Sequence, residues 1–239
     1  GVLGIGDQGI GAMDISIGKL MVYTLCAGVN PLRTLPIMLD VGTNNQDLLN
    51  DPLYLGLRHP RIDGKEYDDF IDRFVTAVKK KFPKAFLHWE DFGNKHARKV
   101  LNKYRQEICS FNDDIQGTGV VTLAALLSAS KACKKKITEQ QIVIFGAGNA
   151  GTGIADQIHS AMVHEGLSNE DARKQFWLID KDGLLLKTNP NLTASQMPYA
   201  RDTKDISTWN IDTHIDLQTV VKNLKPTVLI GCSSQRGAF

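Results

Sequence analysis

An α/β fold class, in two successive domains each built on a parallel sheet, is what the sequence predicts, and three features predict it. A strand-like run at residues 85–89 ends in the acidic pair Glu90-Asp91 and leads into a helical pattern. A second, at residues 108–111, precedes Asp113-Asp114 and leads into a helix-like run at 120–133. A third, at 141–145, passes directly into Gly146-Ala147-Gly148-Asn149-Ala150-Gly151 and a helix. Strands alternating with helices in this way read as βα units with a parallel sheet. The boundary is expected near residue 110, with domains over 1–110 and 111–239.

The first glycine cluster, Gly4-Ile5-Gly6-Asp7-Gln8-Gly9, is formally G-x-G-x-x-G. Only residues 2–5 could form a strand before it, and Gly11 and Gly18 interrupt any helix before Lys19, so it reads as a backbone turn. Residues 20–27 are apolar on all sides and predict a buried helix. Gly28 closes it, with Pro31 shortly beyond. At its start stands Lys19. Its stem can pack while its ammonium reaches water; alternatively it is a desolvated amine able to act as a base near neutral pH.

Residues 35–40 predict a strand with Pro36 near its start. Asn50-Asp51-Pro52 and His59-Pro60 mark loop. Residues 67–82 predict an amphipathic helix, because Tyr67, Phe70, Ile71, Phe74 and Val78 recur at three- and four-residue steps. Asp68, Asp69 and Asp72 in its early turns and Lys79, Lys80 and Lys81 in its last match the helix dipole. After Glu90-Asp91 a helix runs through Ala97, Val100, Leu101 and Tyr104. His88 and His96 flank the acidic pair and read as structural.

In the second part, Ile154, Ala155, Ile158 and Met162 keep helical spacing after Gly146–Gly151. This G-x-G-x-x-G therefore has the strand before it and the helix after it that a dinucleotide site needs. Its glycines make the tight turn, let backbone approach a pyrophosphate, and let helix pack on strand. A second strand, 176–179, ends in Asp180, placed to accept ribose hydroxyls of NAD. Asp180 follows Gly146 by 34 residues, against about 20 in the usual motif. A short extra helix, signalled by Gly166 and by Ser168 as its cap, explains the excess. With a third strand at 227–231, these elements predict one β-α-β-α-β half of a Rossmann-type domain.

The acidic pairs lie at two strand-to-helix corners. Asp there can simply cap the next helix. Four carboxylates gathered at one sheet edge, where open α/β sheets bind ligands, would instead call for a hard divalent ion such as Mg²⁺ or Mn²⁺.

The totals narrow the class further. Across 239 residues, 42% are apolar, 23% are charged and the net charge is +2, which makes no case for nucleic acid or a membrane surface. Lys134-Lys135-Lys136 reads as a solvated helix end. Cys26, Cys109, Cys133 and Cys232 lack ligand spacing, and three of them fall in apolar runs, so buried thiols in a reducing, cytoplasmic compartment are expected. The opening Gly1-Val2-Leu3-Gly4 has no basic region, so no signal peptide is expected. No apolar stretch is expected to reach the ~20 residues that span a bilayer.

Glu90-Asp91-Phe92-Gly93-Asn94 and Phe111-Asn112-Asp113-Asp114-Ile115-Gln116-Gly117-Thr118 resemble the malic enzyme family. Gly4-Ile5-Gly6-Asp7, Ile17-Gly18-Lys19-Leu20, Leu39-Asp40-Val41-Gly42-Thr43 and Gly146-Ala147-Gly148 agree with it. The likeness covers the whole chain and is that of an internal piece: part of the substrate and metal domain, then the first half of the NAD domain.

This resemblance implies that Glu90, Asp91 and Asp114 ligate Mn²⁺ or Mg²⁺, that Lys19 is the general base, and that Asp113 is its partner. It implies that Gly146, Ala147, Gly148, Asn149 and Asp180 hold the cofactor. Asp180 and Gln196 point to NAD, since NADP members tend toward a basic residue at the latter position. The implied reaction is oxidative decarboxylation of L-malate to pyruvate and CO₂ in a homodimer or homotetramer. The family's tyrosine acid and later malate-binding asparagines match nothing in this chain. Gly1, where many members carry Arg, and the segments Leu87-His88-Trp89-Glu90 and Gly117-Thr118-Gly119-Val120 are similar to malolactic enzymes, which deliver L-lactate with NAD kept bound. A catalytically inactive NAD-binding scaffold is a further alternative, opposed by the presence of Lys19 and all four acids.

Overall fold

Caps and amphipathic stripes set the helices of this chain, and apolar runs with a partner set its strands. The computed structural model describes residues 6–209, 214–233 and 237; Gly1 and the strand expected at residues 2–5 lie outside them. The chain divides into two units, Gly1–Phe111 and Asn112–Phe239.

In the first unit α1 (Met13–Ala27) ends at Gly28, whose φ of 68° is the left-handed conformation that glycine adopts without strain. Next comes the short α2 (Gln46–Asn50), capped by the Asn45 side chain. The α3 helix (Gly64–Lys81) is capped by Asp63 and carries Lys79, Lys80 and Lys81 in its last turn. It buries Tyr67, Ile71, Val75 and Val78. Strand β1 (Leu87–Trp89) leads to α4 (Asn94–Tyr104), which buries Ala97, Val100, Leu101 and Tyr104. Strand β2 (Ser110–Asn112) pairs with β1. Tyr67, Ile71, Val75, Trp89, Val100 and Tyr104 form one core cluster. Lys95, Lys99 and Lys103 pair with Asp63, Asp68 and Asp72. The matched steps set α3 and α4 side by side and parallel. Exposed pairs are worth about 0–1 kcal/mol each, so the apolar contact holds the two helices and the ladder only fixes their register.

Four expectations are corrected here. Helix α1 begins at Met13, running through Gly18, and it has no fully buried residue. Only one face, with Ile15, Lys19, Leu20 and Tyr23, is covered, while Leu25 is 78% exposed. A helix apolar on all sides needs cover all round, and the described residues supply one side. The run Gly9–Ala27, with mean hydropathy 1.3, is also long and apolar enough to cross a membrane by length and composition. Residues 35–40 form no strand, because a strand needs a hydrogen-bonded partner and none of the described residues provides one. Finally, Cys26, Cys109 and Cys133 are exposed and Cys232 is half-buried; an apolar neighbourhood in sequence did not bury the thiols.

Asp7 braces the loops of this unit. Its carboxylate accepts both Nε and Nη2 of Arg61, each at 2.9 Å, and the backbone N–H groups of Gly9 (2.9 Å) and Asn44 (2.8 Å). Burial alone would raise its pKa; the Arg61 guanidinium and the two backbone donors outweigh it and hold the carboxyl well below the usual range. A depressed pKa means stabilisation that is present above the unfolded value, about 3.9, and lost as pH falls through the folded one. Asp7→Asn is therefore expected to cost about 2–3 kcal/mol at pH 7, measured by urea unfolding. The gap between variant and unaltered protein should narrow below about pH 4; a gap constant with pH would show that the charge is not its source.

The second unit opens with a wide turn, Asp113–Gly117, of π-helical hydrogen bonding. It continues through α5 (Thr118–Ala132), β3 (Ile142–Phe145), α6 (Asn149–His164), α7 (Asn169–Arg173), β4 (Phe176–Asp180), β5 (Gly183–Leu184), α8 (Leu217–Leu224) and β6 (Val228–Gly231). Ser168 caps α7 as expected. The sheet order is β5-β4-β3-β6. Strand β3 pairs in parallel with β4, Ile142 opposite Phe176, and with β6, Ile142 opposite Val228. Ile142, Val143 and Ile144 are fully buried, as a central strand requires. Strand β5 pairs antiparallel with β4. The three parallel strands of the expected β-α-β-α-β half are present, and the structure adds their order. The third parallel strand lies on the far side of β3, and the place beside β4 is taken by the short antiparallel β5. The strand order consequently reverses at β3, and its carboxyl end becomes a switch point, where such sheets bind ligands.

Candidate active site

Two periodicities assemble the polar cluster of the first unit. Lys19 and Tyr23 are four residues apart on α1 and share a helix face. His88 and Glu90 are two apart at the end of β1 and share a side of the strand. The two pairs meet. Tyr23 Oη lies 2.6 Å from His88 Nδ1, His88 Nε2 lies 2.8 Å from Glu90 Oε2, and Lys19 Nζ lies 3.4 Å from Glu90 Oε1. The intervening Trp89 faces the opposite way, 2% exposed, with its ring edge-on to Phe74 and Phe92. That packing locks the strand end.

Asp91 follows at φ 60°, a left-handed conformation uncommon for a residue with a side chain. Strain of that kind concentrates at functional sites. Lys19, Tyr23, His88, Glu90 and Asp91 line one part of a cavity of about 1480 Å³. The rest of its wall mixes apolar side chains, Leu35, Ile37, Phe74 and Phe82 among them, with polar ones such as Asp40, Arg61 and Lys84; at Lys19 and Glu90 an amine and a carboxylate face the cavity together. The carboxylates of Glu90 and Asp91 are hard oxygen donors in consecutive positions, and Glu90 is mostly buried, with its side chain 13% exposed. A divalent cation of the Mg²⁺ or Mn²⁺ kind fits such donors.

In the second unit Asp113 and Asp114 open the wide turn before α5. The Asn112 side chain accepts the Ile115 N–H at 2.9 Å, and Gln116 Oε1 accepts the Asn112 N–H at 3.0 Å. Both acids are thereby held on a fixed turn, each partly exposed. Gly117 leaves room for the Asp113 carboxylate: a Cβ on it would lie 1.9 Å from Asp113 Oδ1, so a side chain there would turn that carboxylate aside. Turns of π type inside helices are frequent at functional sites.

The glycine turn lies at the carboxyl end of β3. Gly146 has φ 108°, and a Cβ there would lie 2.6 Å from the Ser233 backbone N. No side chain caps Gly148 at the start of α6, and Asn149 Nδ2 is buried with no hydrogen-bond partner among the described residues. Free donors at a helix N-terminus suit a pyrophosphate. Asp180 ends β4 and accepts the Lys181 N–H and the Gln196 amide, each at 2.9 Å. The same Gln196 nitrogen donates to the Ala147 carbonyl at 3.0 Å, so Gln196 ties Asp180 to the glycine turn. Cys232 Sγ donates to the Gly146 carbonyl at 3.0 Å; burial, then the nearby Asp180 charge, pushes this thiol up to about 11, which keeps it a donor at neutral pH.

Sequence reasoning placed Lys19 and Glu90 in one cluster only through resemblance, and it missed Tyr23 and the bridging position of His88. The signal was present as an i,i+4 pair and an i,i+2 pair, but nothing in sequence says that the two faces meet.

Comparisons with known proteins agree with these two halves. Residues 1–105 match the family model "Malic enzyme, N-terminal domain" and residues 115–239 match "Malic enzyme, NAD binding domain". The chain is 52% identical to NAD-dependent malic enzyme 3 of Bacillus subtilis, over 100% of this chain and 43% of that protein. It is 53% identical to the NAD-dependent malic enzyme of Sodalis glossinidius, again over 100% of this chain and 42% of the relative. It is 51% identical to the malolactic enzyme of Leuconostoc mesenteroides, over 100% and 44%. It thus spans less than half the length of these relatives. A crystal structure of Entamoeba histolytica malic enzyme aligns with a TM-score of 0.65 at 25% identity, covering 98% of this chain and 42% of that one. With both domain models matched in order along its length, the chain belongs to the malic enzyme family.

Proposed function

We propose that the protein carries out NAD-dependent oxidative decarboxylation of L-malate to pyruvate and CO₂, with Mn²⁺ or Mg²⁺. The observation that carries this reading is the lysine held against a carboxylate on the cavity wall, in a chain whose second unit is the NAD-binding domain of this family. Glu90, Asp91 and Asp114 are the proposed ligands of the ion. Gly146, Ala147, Gly148, Asn149 and Asp180 are the proposed holders of the cofactor. When bound, the ion supplies polarisation of the C2 oxygen and NAD⁺ accepts the hydride.

The chain's own residues do the rest. Lys19 Nζ takes the proton of the C2 hydroxyl as base, with Asp113 as its partner. Glu90 Oε1 fixes the amine at the cavity wall. The α6 N-terminus and the glycine turn hold the pyrophosphate, and Asp180, braced by Gln196, receives the ribose hydroxyls and disfavours an added phosphate.

A malolactic reading, in which L-lactate and CO₂ form and NADH is not released, is favoured by the Leuconostoc relative and by the segment Leu87-His88-Trp89-Glu90. An inactive NAD-binding scaffold is the third possibility. Incubation with L-malate, NAD⁺ and Mn²⁺ separates them. Free NADH with pyruvate is the expected result; lactate without NADH release would select the malolactic reaction; no turnover would leave the scaffold. We place the protein in the cytoplasm, in keeping with unpaired, exposed cysteines, as a homodimer or homotetramer.

A further inference from the structure

We propose that Tyr23 and His88 form a positioning bracket on Glu90, holding its Oε2 so that Oε1 is presented to Lys19 and to a bound divalent ion. The inference rests on the metal reading given above and deepens it.

The geometry supports it at each link. A carboxylate can only accept, so the 2.8 Å contact places the imidazole proton on His88 Nε2. In the neutral ring Nδ1 is then bare and accepts the Tyr23 hydroxyl at 2.6 Å. The ring cannot turn easily: it meets Phe111 edge-on at 4.6 Å and Tyr23 at 5.6 Å between centroids. Its side chain is 12% exposed and that of Glu90 13% exposed, so water does not readily replace the bond. The two oxygens of Glu90 are thus given different partners, the imidazole on Oε2 and the ammonium on Oε1. Outer partners of this kind orient a ligand, and their loss typically costs about 10–100-fold in metal affinity. Neither residue needs to touch substrate or ion for this.

The test measures Mn²⁺ binding to the protein by electron paramagnetic resonance, independently of turnover. His88→Phe keeps a ring and removes both hydrogen bonds. It is expected to weaken Mn²⁺ binding by about 10–100-fold. His88→Gln returns an N–H donor at the place of Nε2 and should recover most of the loss. Tyr23→Phe keeps the ring contact, loses the hydroxyl, and should give a smaller loss in the same direction. Thermal unfolding of each variant identifies one that fails to fold, in which case the Gln and Tyr23 variants decide.

Unchanged Mn²⁺ affinity in folded His88→Phe would overturn the bracket. So would nitrogen hyperfine coupling to bound Mn²⁺ in the unaltered protein that disappears in His88→Phe, because His88 would then be a ligand itself. Absence of Mn²⁺ binding by the unaltered protein would overturn the metal reading, and the bracket with it; that outcome is distinct because it appears before any substitution.

Discussion

Asp114→Asn is expected to reduce malate turnover by about 10³-fold or more while leaving NAD⁺ binding and thermal stability nearly unchanged. The magnitude follows from the role. Polarisation by a bound ion is worth several kcal/mol at the transition state, and each ~1.4 kcal/mol is tenfold in rate. The substitution is chosen because it keeps the side chain's shape while removing its charge and turning one accepting oxygen into a donating NH2. The turn that carries Asp114 is held by its neighbours: Asn112 accepts the Ile115 N–H and Gln116 accepts the Asn112 N–H. Neither bond involves the altered side chain, so the fold of the turn should persist. Mn²⁺ affinity should fall together with kcat, and raising Mn²⁺ should recover part of the activity. A variant with undiminished turnover would remove Asp114 from the ligand set. One inactive yet still binding Mn²⁺ normally would move its role from the ion to the substrate.

How much of this was legible beforehand differs between the units, for a physical reason. In the second unit each element is a local pattern. The apolar run 141–145, the glycine turn and the spacing of Ile154, Ala155, Ile158 and Met162 gave β3 and α6 within a residue or two. The inserted α7 followed from Gly166 and Ser168. Strand order is not a local pattern: nothing in residues 227–231 says on which side of β3 they pair, so the expected strand was found but its place in the sheet came only from the structure. In the first unit, hydrophobicity overstated burial. Residues 20–27 of α1 are apolar on all sides, yet Met21, Val22 and Leu25 are exposed, because composition records a need for cover and not its supply.

The site shows the same division. The acids announced themselves by type and by place at strand ends. The Tyr23–His88–Glu90 chain did not, because it joins a helical step to a strand step across 65 residues of sequence.

Gly151→Ala is expected to abolish useful NAD⁺ affinity, raising Kd by about 100-fold or more. A Cβ at this position would lie 1.9 Å from the Gly146 carbonyl oxygen, 3.0 Å from its carbon and 3.2 Å from Cys232 Sγ. The first two are backbone atoms of the very turn that must receive the pyrophosphate, so relief cannot come from a side-chain rotation. Either α6 moves off the sheet or the turn changes shape. The first option disturbs Ile154, Ala155, Ile158 and Met162, all 2% exposed or less, and overpacking of this sort costs about 1–3 kcal/mol. The second breaks the Cys232 to Gly146 hydrogen bond and misaims the donors; charge-assisted bonds lost there are worth about 1.5–3 kcal/mol each.

Thermal unfolding with and without NAD⁺ reads both effects. At a concentration 100 times Kd, NAD⁺ stabilises the unaltered protein by about 2.7 kcal/mol. A Kd raised 100-fold leaves about 0.4 kcal/mol at the same concentration. Gly166→Ala is the control. Gly166 has φ 106° with nothing within 4 Å of a Cβ, and it ends α6 at the other end from the glycine turn, so it should lower stability without changing the NAD⁺-induced increment. An undiminished increment in Gly151→Ala would mean that the close approach of α6 to β3 is dispensable for the cofactor, and the cradle assigned to Gly146, Ala147, Gly148 and Asn149 would lose its structural basis.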